Sequence, residues 1–206
     1  MKWTTGVFVA LAAMFFATQI QASAATPGQS AAKPAMKEFA KARPPIGYVQ
    51  FCTTFPADCQ AALPQTVTLT PARWAELNDI NDTVNLTIKP VTDQELYNEE
   101  ERWTYPVTEG DCEDYVLLKR RMLMERGWSA ANLLITVVRD QRGDGHAVLT
   151  VRTEQGDLIL DNQVKDIRYW SQTDYRFEKR QSTANPTGWV WLRGDRGDAQ
   201  TLVSSF

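Results

Sequence analysis

The stretch Gly110-Asp111-Cys112-Glu113-Asp114-Tyr115 decides the fold, because a loop ends in it and a helix begins. Asp111 stands at the N-cap position, and apolar residues then recur every three or four positions as far as Gly127, which stops the helix. The sequence therefore predicts a helix to about residue 126 with Cys112 in its first turn. At that position, unpaired backbone N–H groups and the helix dipole favour a thiolate.

Helices precede strands along the chain. Thr70 as N-cap and Pro71 at the first helical position predict a helix to about residue 88, and a shorter helix is expected over 92–102. Beyond Gly127 the periodicity becomes that of strands, at 133–139, 147–153, 157–160, 175–180 and 189–193. The order predicts an α+β fold in which N-terminal helices pack on an antiparallel sheet.

One histidine, His146, is present in the whole chain, and it directly follows a glycine-rich loop. Asp161 closes the next predicted strand. With a hairpin turn centred between Thr153 and Glu154, His146 and Asp161 lie opposite each other. An imidazole placed between a thiol and a carboxylate is the arrangement of a nucleophile with its base. Each residue alone also has an ordinary structural explanation, as a small buried thiol, a packed imidazole and a strand-to-turn aspartate.

The first 24 residues have the pattern of a secretory signal peptide, with Lys2, an apolar run over 6–17, and Ala22-Ser23-Ala24 as the cleavage site. That run is shorter than the roughly 20 residues that span a bilayer, so the mature chain is expected to have no integral membrane segment. A periplasmic or secreted location follows. Residues 25–45 are expected to be a flexible lead-in, and 46–206 a single domain.

An exported chain meets oxidising conditions, in which cysteines tend to pair. Cys52 and Cys59 lie in one loop-like stretch and are expected to form a disulfide, with two buried free thiols as the alternative. Cys112 is then the odd cysteine, and is either intermolecular or reactive. Removal of residues 1–24 leaves 21 basic and 25 acidic side chains, a balance that provides no electrostatic site for nucleic acid.

Together these motifs resemble the bacterial transglutaminase-like cysteine peptidases, which have a papain-like α+β fold. The resemblance covers about residues 70–165 and rests on four stretches, 110–115, 133–139, 145–149 and 158–162. It carries the family's catalytic triad onto Cys112, His146 and Asp161. It also implies a calcium-dependent thiol endopeptidase whose substrate is a protein, such as one at the cell surface. The loop between Cys52 and Cys59 departs from the family's pattern.

By the same resemblance, Asp111, Glu113 and Asp114 are the candidate calcium ligands, since hard cations bind clustered carboxylates. Capping and the helix dipole explain these acids equally well without a metal. The Cys112 backbone N–H is expected to bind the oxyanion of the reaction. Trp103 is either a second donor to that oxyanion or a core aromatic beside the helix.

Two other functions fit the same residues. If an amine instead of water accepts the acyl group from Cys112, the protein is a transglutaminase or an amidase. If the site is catalytically silent, the protein is a calcium-responsive binding module.

Overall fold

The computed structural model describes Met1, residues 35–185 and residues 187–192. Residues 2–24 of the predicted signal peptide and residues 25–34 of the predicted lead-in lie outside these ranges. The rest of the lead-in packs on the domain: Met36 is buried, its backbone N–H donates to Asp157 Oδ2 at 2.9 Å, and strand β1 (Lys41–Ala42) joins the sheet. Ordered structure therefore begins before Ile46, although the sequence predicts a flexible lead-in as far as residue 45.

Four α-helices occur in the described ranges: α1 (Ile46–Thr54), α2 (Pro71–Thr87), α3 (Asp93–Tyr97) and α4 (Cys112–Glu125). Helix α2 begins as predicted, since the Thr70 side chain accepts a hydrogen bond from the Arg73 N–H. Helix α3 is shorter than the predicted 92–102, because Asn98 adopts a left-handed φ of 56° and ends it. No described helix is long and apolar enough to cross a membrane.

Seven antiparallel strands form the main sheet. A separate parallel pair joins β2 (Lys89–Pro90) to β3 (Glu109–Gly110). Besides β1, the strands of the main sheet are β4 (Leu133–Arg139), β5 (Gly145–Thr153), β6 (Gly156–Leu160), β7 (Arg168–Tyr169), β8 (Arg176–Gln181) and β9 (Trp189–Trp191). Their order across the sheet is β1-β9-β8-β4-β5-β6-β7. The predicted α+β class is thus confirmed.

The core lies between the helices and one face of this sheet. Fully buried residues of α2 and α4 share one apolar cluster with residues of β4, β5 and β6: Leu77, Ile80, Val84, Leu117, Leu123, Ile135, Leu149 and Leu158. Burial of each such side chain contributes about 1.5–3 kcal/mol. The packing fixes α4 on the sheet, and with it the position of Cys112.

The hairpin of β5 and β6 has a different register from the predicted one. Thr153 pairs with Gly156 and Leu149 with Leu160, so the turn is centred between Glu154 and Gln155. Continued beyond β6, this ladder places residue 163, instead of Asp161, opposite His146. A shift of two positions in a partner strand keeps every side chain on its original face, so Asp161 stays on the side of His146.

Cys52 and Cys59 form the predicted disulfide, with their Cα atoms 5.6 Å apart. The bond joins α1 to a short 3-10 helix, Pro56–Cys59. Buried Arg120 of α4 holds this loop, because its guanidinium donates to the carbonyl oxygens of Asp58 at 2.9 Å and Leu133 at 3.0 Å.

Candidate active site

Cys112 is the first residue of α4, as predicted. Asp111 occupies the N-cap position, but its side chain makes no capping hydrogen bond. The Cys112 thiol donates to Glu113 Oε2 at 3.1 Å, and its sulfur accepts a hydrogen bond from the Ala147 backbone N–H. The sulfur therefore lies against β5, beside the residue that follows His146.

The expectation that the helix start favours a thiolate does not hold in this state. Burial raises the pKa of Cys112 well above its usual range, and the negative charge of Glu113 raises it further. The hydrogen bond from Ala147 opposes these effects without cancelling them. The thiol is thus protonated, because desolvation and a neighbouring carboxylate outweigh the helix dipole.

His146 and Asp161 form a buried pair. His146 Nε2 lies 2.9 Å from Asp161 Oδ1, with 1% and 2% of the two side chains exposed. Gln163 Nε2 lies 3.3 Å from His146 Nδ1. Since an amide nitrogen only donates, Nδ1 accepts this bond and the Nε2 proton points to Asp161. This tautomer leaves Nδ1 as the basic nitrogen.

Two further groups hold Asp161, and sequence reasoning did not assign either of them. The Gln163 backbone N–H donates to Oδ1 at 2.9 Å, and the Tyr175 hydroxyl donates to Oδ2. Burial acts to raise the pKa of Asp161, but the hydrogen bond and charge of His146, with the Tyr175 and Gln163 bonds, hold that pKa below its usual range. Asp161 is therefore ionised.

An open cavity of about 340 Å³ adjoins Asp161 of this pair. Asp161, Gln163 and Tyr175 form one wall, and the loop 140–142 with Arg168 and Asp174 forms much of the remainder. The cavity leads from solvent to the hydrogen bonds that hold Asp161.

A cluster of carboxylates lies next to Cys112. Asp93, Asp111 and Glu113 each offer an oxygen within 4.8 Å of the others. Asp114 is also fully buried, with Oδ1 accepting from the Thr104 N–H at 2.9 Å. Asp93 Oδ1, Asp111 Oδ1 and Asp114 Oδ2 are buried with no hydrogen-bond partner among the described residues. Unsatisfied buried oxygens of this kind fit a hard cation such as calcium.

These carboxylates strongly influence one another. Burial raises the pKa of Asp111 to about 8, with the charges of Glu113 and Asp93 adding to the effect. Burial raises the pKa of Asp114 to about 8 as well, with the charges of Asp111 and Asp93 contributing. Such shifts mean that the cluster resists carrying its full negative charge alone.

Asp93 is the one acid of the cluster that sequence reasoning missed. It is the first residue of α3, where an acid is an ordinary helix-start signal. The parallel pairing of Pro90 with Gly110 brings it beside Asp111, and the Val91 N–H extends that pairing to the Gly110 carbonyl at 3.1 Å. A pairing of two residues leaves no hydrophobic periodicity in the sequence.

Trp103 packs as a core aromatic. It is 6% exposed, its ring meets that of Tyr48 edge-on at 6.0 Å, and its indole N–H donates to Glu101 Oε2 at 3.0 Å. Of the two roles considered for Trp103, the contacts favour packing.

Comparison with known proteins identifies a family and several similar structures. The family model described as bacterial transglutaminase-like cysteine proteinase BTLCP matches residues 38–197. Calcium-bound LapG of Legionella pneumophila is 24% identical with a TM-score of 0.48, and the match covers 63% of this chain and 79% of that one. EGTA-treated LapG has the same identity and TM-score, with 60% and 69% covered.

A further LapG structure from Legionella pneumophila is 26% identical with a TM-score of 0.48, and 63% and 72% of the two chains are covered. No curated protein sequence matches the chain. The family model spans most of the 206 residues. This chain therefore belongs to the bacterial transglutaminase-like cysteine proteinases.

Proposed function

We propose that this protein is an exported thiol endopeptidase in which Cys112 is the nucleophile, His146 the general base and Asp161 the residue that orients His146. Membership of a cysteine proteinase family supports a peptidase acting on protein. The observation that carries the residue assignment is the buried hydrogen bond of 2.9 Å between the chain's one histidine and Asp161, beside the helix that begins at Cys112.

The first half of the proposed reaction forms an acyl-enzyme. The Cys112 thiol gives its proton to His146 Nδ1, and the sulfur attacks the carbonyl carbon of a peptide bond. The Cys112 backbone N–H, unpaired at the start of α4, donates to the oxyanion. The imidazolium then returns the proton to the departing amine as the C–N bond breaks. Asp161 keeps the proton on Nε2 throughout and stabilises the imidazolium.

The second half releases the product. His146 Nδ1 takes a proton from water, whose oxygen attacks the thioester carbonyl carbon. The C–S bond breaks, the proton returns to the sulfur, and the carboxylic acid leaves. Were an amine to replace water, the same steps would yield a new amide, which is the transglutaminase alternative.

We also propose that Asp93, Asp111 and Glu113 hold a calcium ion, with Asp114 as the neighbouring acid. The support is the set of buried, unpaired carboxylate oxygens that meet next to the nucleophile. A bound divalent cation would supply positive charge to a cluster that otherwise raises the pKa of the Cys112 thiol. Glu113 links the two, since it accepts the hydrogen bond of that thiol.

Export to the periplasm or the cell exterior completes the proposal. It rests on the pattern of residues 1–24 and agrees with a disulfide between Cys52 and Cys59, since such bonds persist in oxidising compartments. A protein at the cell surface is then an accessible substrate.

The test is a cleavage screen of exported proteins from the source cell, with calcium and a labelled primary amine present. The unaltered protein should produce new N-termini in at least one of them, and Cys112→Ala and His146→Ala should produce none. Label incorporation that exceeds hydrolysis would replace the peptidase assignment with a transferase. Cleavage that persists in Cys112→Ala would contradict the nucleophile.

A further inference from the structure

Asp161 is held by three donors, and the one outside its own hairpin is Tyr175. Oδ1 accepts from His146 Nε2 and from the Gln163 backbone N–H, both at 2.9 Å, while Oδ2 accepts from the Tyr175 hydroxyl. Tyr175 lies immediately before β8, 14 residues after Asp161 in the chain. Both carboxylate oxygens are thus occupied, from two separate parts of the fold.

Tyr175 contacts the imidazole as well. The centroids of the His146 and Tyr175 rings are 5.5 Å apart with an interplanar angle of 47°. His146 and Asp161 are buried, while Tyr175 is half-buried and also lines the adjoining cavity. The tyrosine therefore contacts both members of the buried pair and also lines the cavity.

Bonds to Oδ1 alone leave the plane of a carboxylate poorly fixed, because the terminal torsion of aspartate is broad. A donor on Oδ2 removes that freedom. Burial raises the pKa of Tyr175, and the hydrogen bond and charge of Asp161 raise it further. The phenol accordingly stays protonated at neutral pH, where it remains a donor.

We propose that Tyr175 is a positioning residue of the active site: its hydroxyl fixes the plane of the Asp161 carboxylate and its ring fixes the adjacent face of His146. This inference rests on the proposed function, since it assigns Tyr175 a role through those two residues. The hydrogen bond from the Tyr175 hydroxyl also withdraws charge from Asp161. It therefore reduces the electrostatic stabilisation that this carboxylate gives to a His146 imidazolium.

The chain's one histidine allows a direct test by NMR, since a protein labelled at its imidazole nitrogens carries a single imidazole. Tyr175→Phe removes only the hydroxyl. We expect the midpoint of the His146 titration to rise by about half a unit, because Asp161 loses one of its hydrogen-bond donors. With calcium present, we expect alkylation of Cys112 by iodoacetamide to slow about threefold or more, because the imidazole is less well oriented.

Tyr105→Phe is the matched control, since the Tyr105 hydroxyl interacts with the carboxylate of Asp58 instead of Asp161. It should leave both measurements unchanged. Tyr175→Leu, which removes the ring and the hydroxyl together, should slow alkylation of Cys112 at least as much as Tyr175→Phe does. A merely structural tyrosine would change thermal stability without moving the titration midpoint.

Results identical to the unaltered protein in both Tyr175 variants would overturn the inference. The NMR titration does not depend on Cys112 being a nucleophile, so it separates this inference from the proposed function. If Cys112 is alkylated as fast in the His146→Ala variant as in the unaltered protein, the proposed function fails. If His146→Ala slows alkylation while Tyr175→Phe and Tyr175→Leu change neither reading, only the role of Tyr175 fails.

Discussion

The hydrogen bonds of Cys112 and His146 describe a resting state. The thiol donates to Glu113 Oε2 at 3.1 Å, and the basic nitrogen of His146 accepts from the Gln163 amide at 3.3 Å. Each proposed catalytic group is therefore engaged by a residue outside the triad. In the proposed reaction, proton transfer from Sγ to Nδ1 would require both contacts to open. Glu113, as a proposed calcium ligand, would connect the first opening to metal binding.

Gly47 lies in close contact with a buried aromatic ring. A Cβ added there would lie 2.3 Å from Cδ1 and 2.7 Å from Nε1 of the buried Trp103 indole. We expect Gly47→Ala to lower the free energy of unfolding by about 1–3 kcal/mol, as overpacking of a core does. Urea unfolding measures this change.

Gly145→Ala is the control for that substitution, since a Cβ at Gly145 meets nothing within 4 Å. Its free energy of unfolding should stay close to that of the unaltered protein. Equal stability of the Gly47 and Gly145 variants would mean that the Trp103 ring can shift at little cost.

At the scale of the element, helix α4 carries a second chemically unusual residue besides Cys112. Lys119 lies two helical turns further along and is completely buried. Burial lowers its pKa to about 7, although the negative charges of Asp161 and Asp82 act in the opposite direction. A lysine this deep in the core costs stability whenever it is charged.

Lys119→Met should therefore stabilise the protein, and more at pH 6 than at pH 9.5. Below about pH 7 the lysine is charged in both the folded and the unfolded chain, so its full burial cost applies. Above that pH the folded state releases the proton, and the cost diminishes towards the usual lysine pKa of about 10.4.

The expected gain at pH 6 is about 1–3 kcal/mol in the free energy of unfolding, measured by urea at each pH. Lys37→Met, at an exposed lysine, is the control and should show no such pH dependence. A gain from Lys119→Met that is the same at both pH values would contradict the account of this side chain.

How much the sequence predicts depends on how local the signal is. Thr70 with Pro71, and Gly127 after a regular apolar repeat, define the limits of α2 and α4, because caps act within a few residues. The β5–β6 register was wrong by two positions, since Glu154-Gln155-Gly156 admits more than one turn centre. Asp93 and Tyr175 reach the site only through strand pairing and packing, which local patterns do not encode.

At the scale of the whole molecule, strand pairing brings distant parts of the chain together around the start of α4. The β2–β3 pairing brings Asp93 beside Asp111, and Glu113 of the same carboxylate cluster accepts the hydrogen bond of the Cys112 thiol. The cluster thus collects negative charge next to Cys112, while β5 and the residues after β6 hold the buried pair of His146 and Asp161. The stability of the whole fold should therefore respond to calcium and to pH together.

Without calcium, we expect the melting temperature to fall as the pH rises from about 5 to 8. The folded state keeps protons on Asp111 and Asp114 up to about pH 8, whereas the unfolded chain loses them near pH 4, so folding weakens between these values. Added calcium should raise the melting temperature more at pH 8 than at pH 5, because the carboxylates are then free to bind.

Asp93→Asn tests whether this effect belongs to the cluster. In the presence of a chelator at pH 8, the variant should melt at a higher temperature than the unaltered protein. Addition of calcium should then raise the melting temperature of the variant less than that of the unaltered protein. Asp166→Asn, at an exposed aspartate, is the control. A melting temperature that calcium leaves unchanged at both pH values would exclude the cluster as a metal site.

The most direct test of the proposed triad is the rate at which iodoacetamide alkylates Cys112, the one cysteine outside the Cys52–Cys59 disulfide. The account predicts that, in calcium at pH 7, His146→Ala slows alkylation by about tenfold or more, because the imidazole no longer takes the thiol proton. Equal rates in the two proteins would contradict it and leave Cys112 as a structural residue.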